Sequence, residues 1–200
     1  MSVPLVNALE AAGLVQEPTP PCACGHDVQF YRTDEFLLHA VVDFLASGLR
    51  AGQPIVCIAT LAHLKEIVAA LRRRGLDTDE FLSGREAVWL DARETLASFM
   101  EGPRPNRELF MATVGRVFEL VLRGRHYLVV RGYGEMVNLL ANEGNIAGAL
   151  ELEALWNDLA ATHPYSLLCS YSVENFAHEA GVQAARQVCG HHSRTLRFEQ

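Results

Sequence analysis

Glycine is missing where a phosphate-binding loop would need it. Between the apolar run Ile55 to Ala59 and the helical pattern that follows, the chain reads IATLAHLKE, with no glycine in the turn. A phosphate cradle requires glycines whose backbone N–H groups close around the anion, with a lysine and a hydroxyl for the charge and the magnesium. Lys65 instead falls a turn into the helix, and ATP and magnesium are not expected ligands. A G-x-S-x-G turn is also lacking, and Cys169 lies inside the apolar run SLLCSY, where a thiol is buried and inert. No nucleophile triad, and no enzyme built on one, is supported.

Other shortages narrow the class further. Basic residues number 17 against 24 acidic ones, and the net charge of -7 offers no attraction to phosphate backbones or anionic lipid. No apolar run approaches the roughly 20 residues that a spanning helix needs. The opening MSVPLVNALEAAGLVQEPTPP shows no basic leader followed by an apolar core. These features argue against direct nucleic-acid binding and against a membrane role, and predict a cytoplasmic protein. The five cysteines, an odd number, do not form a disulfide framework in this reading.

What is present has the rhythm of an α/β fold. Half of the 200 residues are apolar, enough for one sizeable core. Short β-rich runs alternate with helical patterns: Val28 to Tyr31, Ile55 to Ala59, Ala87 to Leu90, Tyr127 to Val130, Ser166 to Tyr171 and Thr195 to Phe198. Their continuous apolar character predicts strands covered on both faces, in three layers around a mainly parallel sheet. Thr60, Asn106 and Asn145 are placed to cap the intervening helices, whose stripes include Leu61, Leu64, Val68 and Leu71, then Phe110, Val114, Val117 and Val121, then Ala149, Leu152, Trp156 and Leu159. Residues 1–24 read as a tail or short helix, and 25–200 as one domain.

In such a sheet, ligands bind beyond the carboxyl ends of the strands. Polar residues expected there are Thr60 and His63, then Asp91 with Arg93 and Glu94, then Arg131, Tyr133 and Glu135, then Tyr171. Directional hydrogen-bonding groups in a partly dry cleft suit a small polar ligand, and also suit helix caps and mutual pairing. His63, in the first helical turn, serves best as a neutral imidazole, because a charged one opposes the helix dipole. Asp91, Arg131 and Glu135 together also permit a residual nucleotide binder or enzyme. The helix ALELEALWNDLAA offers an amphipathic face for an adaptor without any ligand.

The two chain ends share a second kind of chemistry. Cys22, Cys24 and His26 precede the first strand, and Cys189, His191 and His192 precede the last. If those strands are neighbours, soft and borderline ligands converge in a set suited to zinc, iron or haem. The spacing C-x-C rather than C-x-x-C weakens the zinc-knuckle reading, and strand-capping histidines are the plainer alternative.

Several blocks, in order, carry a resemblance: GHDVQFYRTDEFLLHAVVDFLASGLRAGQPIVCIATLAHLKEIVAALRRRG, WLDARETLASFM, VRGYGEMVNLLANEGN, ALELEALWNDL and YSLLCSY, with a closing CGHHS. Together they resemble the MEDS domain, the methanogen/methylotroph DcmR sensory domain, from Gly25 to about Phe176. The resemblance implies a RecA/KaiC-like fold without its phosphate loop. It also implies a non-catalytic sensory role toward small molecules such as hydrocarbon derivatives. Positions matching the family's motifs are His26, Phe30, Tyr31, Thr60, His63, Asp91, Arg131, Gly134, Glu135, Trp156 and Asn157, none with a catalytic role. The ligand set expected is therefore His26, Tyr31, Thr60, His63, Asp91, Arg131, Tyr133 and Glu135. A signalling protein such as a histidine kinase or regulator is the expected partner, and a homodimer is compatible with the sequence. With about two dozen residues before the first strand, a protein acting through a partner is expected rather than a direct transcriptional regulator.

Overall fold

The computed structural model describes residues 3–14, 24–76, 78, 87–124, 129–177 and 181–196. Strands β1 (Gly25–Tyr31), β2 (Ile55–Ala59), β3 (Ala87–Asp91), β6 (Val130–Gly134), β7 (Tyr165–Ser172) and β8 (Arg194–Thr195) form one sheet. Its order is β3-β2-β6-β7-β1-β8, and every pairing is parallel. The expected mainly parallel sheet is thus wholly parallel. A separate two-residue ribbon, β4 (Met100–Glu101) with β5 (Arg104–Pro105), is antiparallel.

Helices cover both faces, which is why the strands carry little polar residue on either side. Against one face pack α2 (Asp34–Arg50) and α3 (Leu61–Arg73), through Leu37, Val41, Leu45, Ile67 and Leu71 onto Ile55, Cys57 and Tyr133. On the other lie α1 (Val3–Ala11), α4 (Ala92–Ala97), α5 (Arg107–Phe110), α6 (Arg116–Leu122), α7 (Met136–Asn142), α8 (Ile146–Ala160) and α9 (Gly181–Gly190). A π turn at Met111–Gly115 joins α5 to α6. Phe110, Phe118 and Tyr165 close edge-on around Trp156, which is 1 % exposed and belongs to the core.

The expected caps form. Thr60 Oγ1 accepts from His63 N, Asn106 Oδ1 from Leu109 N, and Asn145 Oδ1 from Gly148 N. Asp91 Oδ1 likewise accepts from Glu94 N at the start of α4.

One strand departs from the sequence expectation. Tyr127 to Val130 looked apolar enough for a strand, yet the strand is Val130–Gly134, with sequence VRGYG, and residues 125–128 lie outside the described ones. Glycine is poor in strands by propensity, but at Gly132 a close neighbour favours it, whereas at Gly134 a Cβ would only reach ordinary contact. A Cβ on Gly132 would lie 3.0 Å from Leu167 Cδ1, and one on Gly134 would lie 3.5 Å from the Trp156 ring. The last strand starts at Arg194, one residue before the expected Thr195, and 197–200 lie outside the described residues.

Candidate functional site

The chain leaves β2 toward β3 and leaves β6 toward β7, so the connections diverge between the adjacent strands β2 and β6. Such a switch point opens a crevice at the carboxyl ends of the strands. Glu135 stands there, directly after β6. Its Oε2 accepts a hydrogen bond from Thr60 N at 2.9 Å, and its Oε1 lies 2.9 Å from His63 Nδ1. His63 Nε2 faces Asp34 Oδ1 at 3.8 Å, and the Asp34 side chain is open to solvent.

An internal carboxylate therefore occupies the amino-terminal end of α3, the place an anionic ligand would take at a glycine-rich loop. Its contact with Glu135 raises the His63 imidazole above the ordinary value; burial pulls the other way, and the Glu135 and Asp34 charges add to the rise.

Tyr31 borders the same crevice. Its hydroxyl oxygen accepts from Asn138 Nδ2 at 2.9 Å, while Asn138 Oδ1 accepts from Ser172 N at 2.9 Å and from Asn175 Nδ2 at 3.0 Å. Burial, with the charges of Glu135 and Asp34, holds the Tyr31 phenol in its protonated form. Asn138, absent from the sequence-derived set, thus ties the ends of β1 and β7 to α7. No motif pointed to it: a single Asn in VNLLAN reads as an ordinary helix residue.

Between α4 and α7 is a cleft of about 420 Å³ lined by Arg93, Leu96, Met100, Leu139, Leu140 and Glu143 among others, and not by Tyr31, Thr60, His63 or Glu135. Its walls are mostly apolar, with Arg93 and Glu143 as charged groups, and its size lies in the range of small-molecule sites.

Of the eight expected ligand residues, Tyr31, Thr60, His63 and Glu135 meet at the crevice, and Asp91 caps α4 at the neighbouring strand end. Tyr133 is inside β6, buried, with its hydroxyl 2.9 Å from Ser170 Oγ. Arg131 is the second residue of β6 rather than the first beyond it. It is buried at the amino-terminal end of the sheet, where its guanidinium donates to Gln53 Oε1 at 3.1 and 2.8 Å and lies over the Phe44 ring. Four residue steps along the strand separate it from Glu135, about 13 Å at the usual rise. Asp91, Arg131 and Glu135 do not form one site, because the strand begins three residues later than its apolar pattern suggested.

His26 also lies at the amino-terminal end, as second residue of β1, on the face covered by α8 and α9. There a second polar cluster is sealed inside the core. Glu153 of α8, wholly buried, has Oε2 3.2 Å from His26 Nε2 and Oε1 3.4 Å from His192 Nε2. Tyr171 hydroxyl donates to Glu153 Oε1 at 2.8 Å, and Cys169 Sγ to Oε2 at 3.5 Å. Cys169 Sγ is also 3.3 Å from His26 Nε2. Burial alone would push the Glu153 carboxyl up, but the facing His192, and then the His26 contact, hold it well below the usual carboxylate range.

Of the six residues expected around a metal, His26 and His192 come together here. Cys189 is buried near Thr195, His191 contributes its carbonyl to Asn157 Nδ2, Cys24 is exposed, and Cys22 lies outside the described residues. Sequence reading passed over Glu153 and dismissed Cys169. The signal for Glu153 was available: it follows Ala149 by four and precedes Trp156 by three, which puts a carboxylate inside the apolar stripe of α8.

In this parallel α/β sheet an internal carboxylate, Glu135, stands at the crevice between β2 and β6. Residues 25–192 match the model of the MEthanogen/methylotroph, DcmR Sensory domain, and the chain belongs to this MEDS family of sensory domains. Curated proteins yield no match to the chain.

Proposed function

We propose that the chain is a non-catalytic sensory domain that takes up a small organic molecule at the carboxyl ends of β2, β3 and β6. In this reading it signals through a partner protein such as a histidine kinase or regulator. The observation that carries the reading is the Glu135 carboxylate bridging α3 and α7 across the switch point. The cleft between α4 and α7 shares the helix that Glu135 opens, with Leu139 and Leu140 in its wall. A ligand with an apolar body seated there bears on α7, and a shift of α7 alters the Glu135 contacts to Thr60 and His63. Two helices on opposite faces of the sheet, joined by one buried carboxylate, form an element whose equilibrium a ligand can bias. Catalysis and nucleotide binding have less support, because Glu135 itself takes the Thr60 N–H and Arg131 stands at the other end of its strand.

A thermal-shift panel of short-chain alcohols, ketones, amines and carboxylic acids tests this. At least one class should stabilise the protein in a saturable way, by a few kcal/mol at a concentration a hundredfold above Kd. The substitution Ala97→Trp, on the cleft-lining face of α4, should abolish the shift without unfolding the chain. A shift that persists in Ala97→Trp, or saturable ATP binding with hydrolysis, would overturn the reading.

A further inference from the structure

The sealed cluster around Glu153 is not accounted for by the sensory reading, and its geometry points elsewhere. We propose that His26, Glu153, Cys169 and His192 are the four ligands of one structural divalent metal ion of borderline softness, with zinc as the best match.

The donor spacing comes first. Single donor atoms from the four residues all lie within 4.8 Å of one another. Three of the separations, His26 Nε2 to Glu153 Oε2 at 3.2 Å, His26 Nε2 to Cys169 Sγ at 3.3 Å, and Cys169 Sγ to Glu153 Oε2 at 3.5 Å, outline a triangle. Zinc bonds of about 2.0–2.3 Å in a tetrahedron imply donor separations of about 3.3–3.7 Å, so the triangle has the size of one tetrahedral face. His192, whose ring is tilted by 50° to that of His26 with centroids 4.1 Å apart, is the fourth corner.

The histidines are also oriented as metal ligands are. A ligating imidazole donates its other N–H to an outer acceptor, which fixes the tautomer. His26 Nδ1 is 3.0 Å from Asn157 Oδ1, and the Asn157 amide is held in that sense because its Nδ2 donates to His191 O at 2.9 Å. His192 Nδ1 is 2.7 Å from Val188 O. Both rings therefore place the hydrogen on Nδ1, and their neutral tautomers turn Nε2 lone pairs inward. His192 Nε2, buried, has no hydrogen-bond partner. A buried carboxylate faced by two lone pairs needs a cation between them, either a proton or a metal ion.

The charges then balance. On binding, the Cys169 S–H bond breaks and the sulfur lone pair forms the metal–thiolate bond, while the proton leaves to solvent together with any proton held on the histidines. A divalent ion with one thiolate, one carboxylate and two neutral imidazoles is a neutral unit, which a dry core tolerates far better than a net charge. Four protein donors and little solvent exposure describe a closed site, structural rather than catalytic. It would fasten β1, β7, α8 and the segment after α9 to one another.

The test uses the full chain without an affinity tag, grown in zinc-supplemented medium. Element analysis should give one equivalent of zinc. Replacing zinc by cobalt should produce tetrahedral visible bands and a thiolate-to-cobalt charge-transfer band. Cys169→Ser should lose the charge-transfer band, whereas the triple variant Cys22→Ser, Cys24→Ser, Cys189→Ser should keep it, because Cys57 lies on the opposite face of the sheet. Asn157→Ala, at an exposed position outside the cluster, should lower metal affinity by about 10–100-fold while leaving the fold intact. Less than half an equivalent of any transition metal in the native protein, or loss of the charge-transfer band in the triple variant, would overturn the assignment. Neither result bears on the small-molecule cleft.

Discussion

The two polar clusters are made from the same residue types yet differ in kind. Glu135 with His63 sits at the carboxyl ends of the strands, where Asp34 is open to water and the His63 side chain keeps 14 % of its surface. Glu153 with His26 and His192 sits under α8 and α9 with no exposed surface on the glutamate. A carboxylate and an imidazole at a crevice can exchange partners with a solute. The same groups inside a core must satisfy one another or hold an ion, because desolvating an unpaired charge costs several kcal/mol. Place on the sheet, rather than residue type, separates a partly exposed cluster from a sealed one.

Replacing the two glutamates in turn is the sharpest way to break this comparison. Glu153→Ala leaves two buried histidines, Tyr171 and Cys169 without their common partner, and should cost about 3–5 kcal/mol in urea unfolding. An unchanged midpoint would show that the sealed cluster is not a strong constraint. Glu135→Ala removes the acceptor of Thr60 N–H and the partner of His63, whose side chain is partly exposed. Its expected cost is smaller, about 1–3 kcal/mol, and a cost equal to that of Glu153→Ala would erase the distinction.

The smallest effect is on pH dependence. The folded His63 imidazole titrates above its ordinary value of 6.5, so its contact with Glu135 contributes stability that is complete below that value. The contribution fades as pH rises through the higher folded value. Unfolding measured from mildly acidic to alkaline pH should show this decline, and Glu135→Gln should flatten it. A decline that survives Glu135→Gln would have another origin.

Much of the fold was legible because its signals are local. Ile55 to Ala59 is a strand with the bounds its apolar run suggested, and Thr60, Asn106 and Asn145 cap helices as their side-chain oxygens allow. The VRGYG strand was misplaced because Gly132 answers to Leu167, a neighbour that is distant in sequence. At the crevice, Thr60, His63 and Glu135 were readable from the rule that strand ends bind ligands. Arg131 was carried along only by the misplaced boundary. Asn138 and Glu153 were missed because a polar residue within a helical pattern acquires meaning only from what it packs against.

The sequence alone determined the α/β class, the helix caps, the missing phosphate loop and the family, since each rests on residue order and short-range physics. Tertiary structure alone decided the order of the strands and the divergence between β2 and β6. It alone brought Glu135 to the start of α3, 75 residues away in sequence. It also joined His26 to Cys169 and His192, from opposite parts of the chain, around Glu153. Alternation along β1 and β7 placed His26, Cys169 and Tyr171 on one face, but only the parallel register between the strands set them side by side.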